Sequence, residues 1–161
     1  MRPPIQRGVP LIPPLLERLF DDDPGVQMEV DFRHDEDALI ASVARDLTDL
    51  FNTRRSPPQF PLDCSEAEKS VLAYGLPDLT NLNPRSERDR TRLVQLMEEA
   101  ARTFEPRLTR IRVELASEDA LTGHLRFRLD ALLKVLPRPI EVSFDTLLHS
   151  ASRSFAVREE A

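Results

Sequence analysis

The residues best placed to do chemistry stand side by side at Glu105-Pro106-Arg107, an acid and a guanidinium flanking a residue that stops a helix. Two readings compete for them. In the catalytic one, Glu105 packs beside Phe104 and serves as the general acid of a glycoside hydrolase. That chemistry needs a second carboxylate about 5 to 9 Å away, and the nearby chain offers only Glu114, Glu118 and Asp119 without a recognisable pairing. In the docking reading, Glu105 accepts hydrogen bonds from arginine side chains, and Arg107 forks onto a carboxylate or onto carbonyls of a partner. Charged groups held at a rigid proline joint suit the second reading better.

Other reactive side chains give weaker signals. His34, His124 and His149 lie far apart without a metal-ligand spacing, and none has an acid or cysteine at ligand offset, so they read as surface or turn histidines and no metal is expected. Cys64 is the single cysteine. It excludes an intrachain disulfide or a cysteine zinc cluster, and it reads as a small, semi-buried side chain. No nucleophile elbow, Walker loop or dinucleotide fingerprint occurs, and four glycines against 14 prolines argue against a phosphate-cradling loop. No cofactor is expected.

The elements that must position Glu105 follow from periodicity. Asp35-Glu36-Asp37 supplies the negative first turn of a helix, and Leu39, Ile40, Val43, Leu47, Leu50 and Phe51 then recur at helical spacing. The expected helix spans about 36–52 and ends in Asn52-Thr53-Arg54-Arg55, cations suited to its negative end. Ser65 with Glu68 reads as a capping box for a short helix running to Tyr74 and stopping at Gly75. Ser86, with Asp89 three residues later, opens a second long helix whose stripe is Leu93, Val94, Leu96, Met97, Ala100, Ala101 and Phe104, closed by Pro106.

Downstream the period changes to two. Leu108–Leu115 alternates with Ile111, Val113 and Leu115 inward and Arg110, Arg112 and Glu114 outward; a turn over 117–123 leads to a second strand over 124–135. Ile140, Val142 and Phe144 form a third short strand, and Ser154–Val157 a terminal edge strand. Helices first and strands last give an α+β fold: a small antiparallel sheet of three to four strands packed with two main helices plus shorter N-terminal helices. Residues 1–25 read as a proline-rich arm with one short amphipathic helix at Pro14–Phe20, and 26–161 as a single domain beginning with an alternating strand over Val26–Phe32.

At 161 residues the chain matches the size of one domain. Its net charge of -6 divides unevenly: residues 1–80 carry 8 basic and 15 acidic side chains, residues 81–161 carry 14 and 13. Eight arginines lie within 85–112, but acids interleave and the chain is acidic overall, so a nucleic-acid partner is not expected. No apolar run approaches the roughly 20 residues that span a bilayer, and no secretory leader is read at the N-terminus. The expectation is a cytoplasmic protein with no direct membrane insertion.

Several ordered motifs carry a resemblance: Leu15-Leu-Glu-Arg-Leu-Phe-Asp-Asp-Asp-Pro24, Ser42-Val-Ala-Arg-Asp-Leu47 through Leu50-Phe-Asn-Thr-Arg54, Ser70-Val-Leu-Ala-Tyr-Gly-Leu-Pro-Asp-Leu79, Phe104-Glu-Pro-Arg107 and Ile140-Glu-Val-Ser-Phe-Asp-Thr146. Over about residues 11–157 the chain resembles the TssE family of type VI secretion baseplate subunits, related to the sheath-initiating wedge protein of contractile phage baseplates and historically called lysozyme-like. The resemblance implies a non-enzymatic baseplate component at the inner face of the bacterial inner membrane. Its partners would be other wedge subunits (TssF, TssG and TssK type) and contractile sheath subunits. It also implies that Glu105, Pro106 and Arg107 bind the wedge core and that the strand-rich half starts sheath polymerisation. The departure is Ser56-Pro57-Pro58 after Asn52-Thr-Arg-Arg55, where relatives often carry glycine. The alternative remains a peptidoglycan-cleaving hydrolase.

Overall fold

The computed structural model describes residues 36–56, 66–83, 85–118, 124–135, 138–149 and 152–159. The N-terminal arm with its short helix, the strand expected over Val26–Phe32, His34, Cys64, the Ser65 cap and residues 119–123 of the expected 117–123 turn lie outside the described residues, while Ser117 and Glu118 belong to a strand rather than to that turn.

Helix α1 spans Glu36–Asn52 and helix α2 spans Glu87–Phe104; strands β1 (Leu108–Glu118), β2 (Leu125–Leu133), β3 (Ile140–His149) and β4 (Ser154–Glu159) follow. The strands form one antiparallel meander in the order β1-β2-β3-β4. The fold is therefore α+β, with two helices laid on one face of a four-stranded sheet: α1 rests against β4 and α2 against β1.

Side-chain alternation accounts for the single core. From the sheet, Val113, Phe127, Leu129, Leu133, Phe144, Leu148 and Phe155 point inward; from the helices, Val43, Leu47, Leu50, Phe51, Leu93, Met97 and Ala101 meet them. Phe51 and Phe155 pack with ring centres 5.7 Å apart, fixing α1 on β4. The opposite sheet face carries alternating charge, with Glu114 facing Arg128, Arg128 facing Asp145 and Asp145 facing Arg158. Opposite charges on neighbouring strands stabilise such a face and leave it no single sign to offer a polyanion.

Local expectations hold at both helix starts and differ at three further places. The Ser86 side chain accepts from the Asp89 amide, the cap its spacing implies. α1 does not end on cations. Asn52 Nδ2 donates to the Thr48 carbonyl at 2.8 Å and Thr53 Oγ1 to the Asp49 carbonyl at 2.7 Å, while Arg54 turns away to Asp78 at 2.6 Å. Amide and hydroxyl donors satisfy the last carbonyls locally, so the arginine is not needed there.

The short helix expected up to Tyr74 is instead two 3-10 turns, Ala67–Lys69 and Val71–Ala73, broken at Ser70. Ser70 Oγ donates to the Ala67 carbonyl at 2.7 Å and accepts from the Leu72 amide, so one side chain closes the first turn and caps the second. In β1, Arg110, Arg112 and Glu114 are exposed as their alternation implies, but the strand is irregular at Arg110. There φ is +53° and the register slips between Thr109 and Arg112, which marks a bulge.

Candidate partner-docking site

The joint between α2 and β1 is built by its own sequence. The Glu105 amide closes the last turn of α2 on the Ala101 carbonyl at 3.0 Å. Pro106 then forces Glu105 out of helical geometry, to φ -114° and ψ 82°. The Leu108 amide returns to the Glu105 carbonyl at 3.1 Å, and β1 begins. This tight turn folds the Glu105 carboxylate back toward Arg107.

The two charges meet as a fork. Arg107 Nε donates to Glu105 Oε1 at 2.7 Å and Nη2 donates to Oε2 at 2.5 Å, while the Arg107 amide donates to Oε1 at 3.2 Å. Glu105 is 4% exposed. Arg107 also reaches α1: Nη2 donates to Asp46 Oδ2, and Nη1 to the buried Ser42 Oγ at 3.2 Å. Ser42 and Asp46 lie one helical turn apart on the face that looks at the joint. On the sheet side, the Lys134 amide donates to the Arg107 carbonyl and Lys134 Nζ to the Pro106 carbonyl, both at 2.8 Å. The guanidinium is held more firmly protonated than an ordinary arginine, first by its hydrogen bond to Glu105, with burial opposing.

Tyr74 borders this network. Its ring meets Phe104 edge-on at 5.3 Å, and its hydroxyl pKa is raised by burial and then by the charges of Asp49, Asp46 and Glu105. The adjoining groove, about 300 Å³, is lined by Leu72, Ala73, Leu96, Ala100, Thr103 and Phe104 among others. Val71 beside it is 84% exposed and Leu72 65%, the exposed large apolar side chains among the described residues.

Two of the sequence motifs meet beside this groove. The Leu76 amide donates to the Thr53 carbonyl at 2.9 Å and the Arg55 amide to the Leu76 carbonyl at 2.7 Å. A short bridge thus joins Asn-Thr-Arg to Tyr-Gly-Leu-Pro-Asp. Gly75 adopts φ +102°, and a Cβ there would run into the Thr53 carbonyl, so only glycine lets the two segments close. Asn52 carries a role that sequence reasoning missed. Its side-chain amide donates to the Phe155 carbonyl at 2.9 Å and accepts from the Phe155 amide at 2.8 Å, imitating a fifth strand at one residue of β4. At a separation of 103 positions, no local signal could have announced the pair.

The other chemical candidates fare differently. Glu114 lies on the outer sheet face, where it meets Arg112 Nε at 2.7 Å, away from Glu105. His124 and His149, far apart in sequence, come together with ring centres 5.0 Å apart. Among the described residues there is no group of three or more side chains arranged to hold a metal, and no helix is long and apolar enough to cross a membrane.

The chain that folds this α+β domain, with its buried acid–arginine fork at a proline joint, is matched by a family model, Baseplate wedge protein gp25, over residues 37–138. That stretch runs from the first turn of α1 past the end of β2 and holds the entire Glu105–Arg107 network. The chain belongs to this baseplate wedge family and is a component of a phage-tail-like baseplate. No curated protein and no solved structure gives a significant match.

Proposed function

We propose that this chain is a TssE-type subunit of a type VI secretion baseplate, docking on other wedge subunits near Glu105, Pro106 and Arg107 and starting polymerisation of the contractile sheath. The observation that carries the docking half is the saturated fork. A general acid must present its carboxyl to a substrate, whereas Glu105 is buried with both oxygens accepting from Arg107. Such a pair suits rigid positioning of a surface. The surface it positions combines exposed Pro106, half-exposed Asp46 and, across Tyr74, the Val71-Leu72 groove. A charged rim beside an apolar patch fits a helix or strap of a TssF-, TssG- or TssK-type neighbour. The site of action is the cytoplasmic baseplate at the inner face of the inner membrane.

The sheath-starting half rests on the sheet edges. β1 is a poor template, because it is bulged at Arg110, slips register again beyond Leu115, and has its Val113 amide bonded to Glu98 Oε1 at 2.9 Å. β4 is the better one. Asn52 occupies its outer side at Phe155, and antiparallel alternation turns the main-chain groups of Val157 and Glu159 the same way. Among the described residues no strand pairs with that side. An extended sheath segment added there would gain main-chain hydrogen bonds, with Asn52 marking where the added strand must stop.

Co-purification tests the docking reading. Wild-type protein is expected to recover wedge subunits, and Asp46→Ala combined with Leu72→Ser to recover markedly less while retaining its fold by circular dichroism. Equal recovery would remove this surface from the docking role. Clearance of labelled cell-wall polymer by the wild type and not by Glu105→Gln would support the hydrolase instead.

A further inference from the structure

The two edges of the sheet are met by different chemistry. At β4, Asn52 answers both main-chain groups of Phe155 with a neutral amide that donates and accepts. At β1 the edge meets an acceptor alone. Glu98 of α2 takes the Val113 amide on Oε1 at 2.9 Å, and Arg102, one helical turn on, lies 3.7 Å from Oε2. The register shows what is special about Val113. Slips between Thr109 and Arg112 and between Leu115 and Ser117 leave Arg112–Leu115 as the regular run, and within it antiparallel alternation turns the main-chain groups of Val113 and Leu115 away from β2. Val113 therefore stands where a further strand would begin to pair. If it exchanged both main-chain bonds with Val113 of a second copy, Arg112 of each chain would oppose Glu114 of the other, a favourable cross-strand pair made twice. The edge is complementary to itself.

We propose that the β1 edge is a latent pairing surface for a second copy of this chain, kept shut by the Glu98 carboxylate. The carboxylate consumes the amide on which the pair would centre, and its charge repels the carbonyl oxygen that an incoming strand would aim at that amide. Glu98 is well placed for this, because its side chain is only 26% exposed and α2 packs along β1. A sheet closed at β1 offers its partners one edge, β4, and so one direction of growth. That meaning rests on the strand-addition reading, whereas the closed edge itself is a property of the chain alone.

Sedimentation of the full chain over a range of concentrations tests it. Wild-type protein is expected to stay monomeric. Glu98→Ala should form a dimer as concentration rises while keeping its fold by circular dichroism. Glu98→Met, which retains a long helix-forming side chain but has no acceptor for the amide, guards against a folding defect and should dimerise too. Adding Arg112→Glu to Glu98→Ala sets like charges opposite each other and should abolish the dimer, and adding Glu114→Arg as well should restore it. Glu159→Pro, at the other edge, should leave the Glu98→Ala dimer unchanged, so that a failure here and a failure of strand addition at β4 are read separately. Folded Glu98→Ala and Glu98→Met chains that stay monomeric overturn the proposal. A dimer indifferent to Arg112→Glu, or one lost with Glu159→Pro, overturns it as well.

Discussion

Arg107 grips both carboxylate oxygens of Glu105, through Nε at 2.7 Å and Nη2 at 2.5 Å, while the same guanidinium reaches across to Asp46 and Ser42 of α1. Two segments distant in sequence, α1 and the 105–107 joint, are locked by one side chain. The pair is asymmetric, since Glu105 is almost fully buried and Asp46 is half exposed.

That asymmetry predicts unequal losses. Arg107→Ala should destabilise the chain by about 3–5 kcal/mol, because it strands a buried carboxylate. Asp46→Asn should cost under about 1 kcal/mol, as for an exposed pair. Glu105→Leu combined with Arg107→Met should recover much of the Arg107→Ala loss, since no buried charge is left unpaired. Urea denaturation of the three variants checks the order, and equal losses from Arg107→Ala and Asp46→Asn would contradict it.

The chain has a single tyrosine, so its ultraviolet titration reads Tyr74 alone. The transition should lie above the ordinary value of 10.0, because burial comes first and the charges of Asp49, Asp46 and Glu105 add to it in disfavouring the phenolate. A folded pKa raised above the unfolded one contributes stability that is present below about pH 10 and lost as pH rises through the folded value. Asp46→Asn and Asp49→Asn should each move the transition down toward the ordinary value.

Much of this architecture is legible in the residues, and the exceptions share a cause. α1 and α2 follow from apolar spacing, and the Ser86 cap from its position three residues before Asp89, because the interactions that decide them are local. The four strands follow from period-two alternation, though β3 runs on to His149, well past Phe144, because β4 pairs along its far half. The Glu105-Pro106-Arg107 joint could be singled out because its three residues are consecutive. Its partners Ser42 and Asp46, the Asn52–Phe155 pair and the His124–His149 contact could not, because tertiary packing alone brings them together. The two 3-10 turns escaped for a smaller reason: Ser70 hydrogen-bonds its own neighbours and breaks the helix from within.

Gly75→Ala should cost well over 1 kcal/mol. At φ +102° a side chain is strained by its own backbone, and the new Cβ would also push into the Thr53 carbonyl, opening the bridge between residues 53–55 and 76. Thermal unfolding reads the loss, and a near-neutral result would mean that the two segments are not held as described.

Thr146→Val should stabilise the chain by about 1 kcal/mol. Thr146 is fully buried within β3 and its Oγ1 has no hydrogen-bond partner among the described residues, so an isosteric methyl removes an uncompensated desolvation cost without changing shape. Denaturant titration checks this, and a loss of stability would point to a partner for the hydroxyl.

The proposed start of the sheath is strand addition at β4. The most direct measurement is the assembly time course of purified sheath subunits, followed by light scattering, with and without this chain held on its wedge partners. Wild-type protein should shorten the lag. Glu159→Pro, which removes an outward-facing main-chain donor at an exposed position of β4, should lose most of that effect while keeping wedge binding. A lag that the wild-type complex leaves unchanged would contradict strand addition at β4.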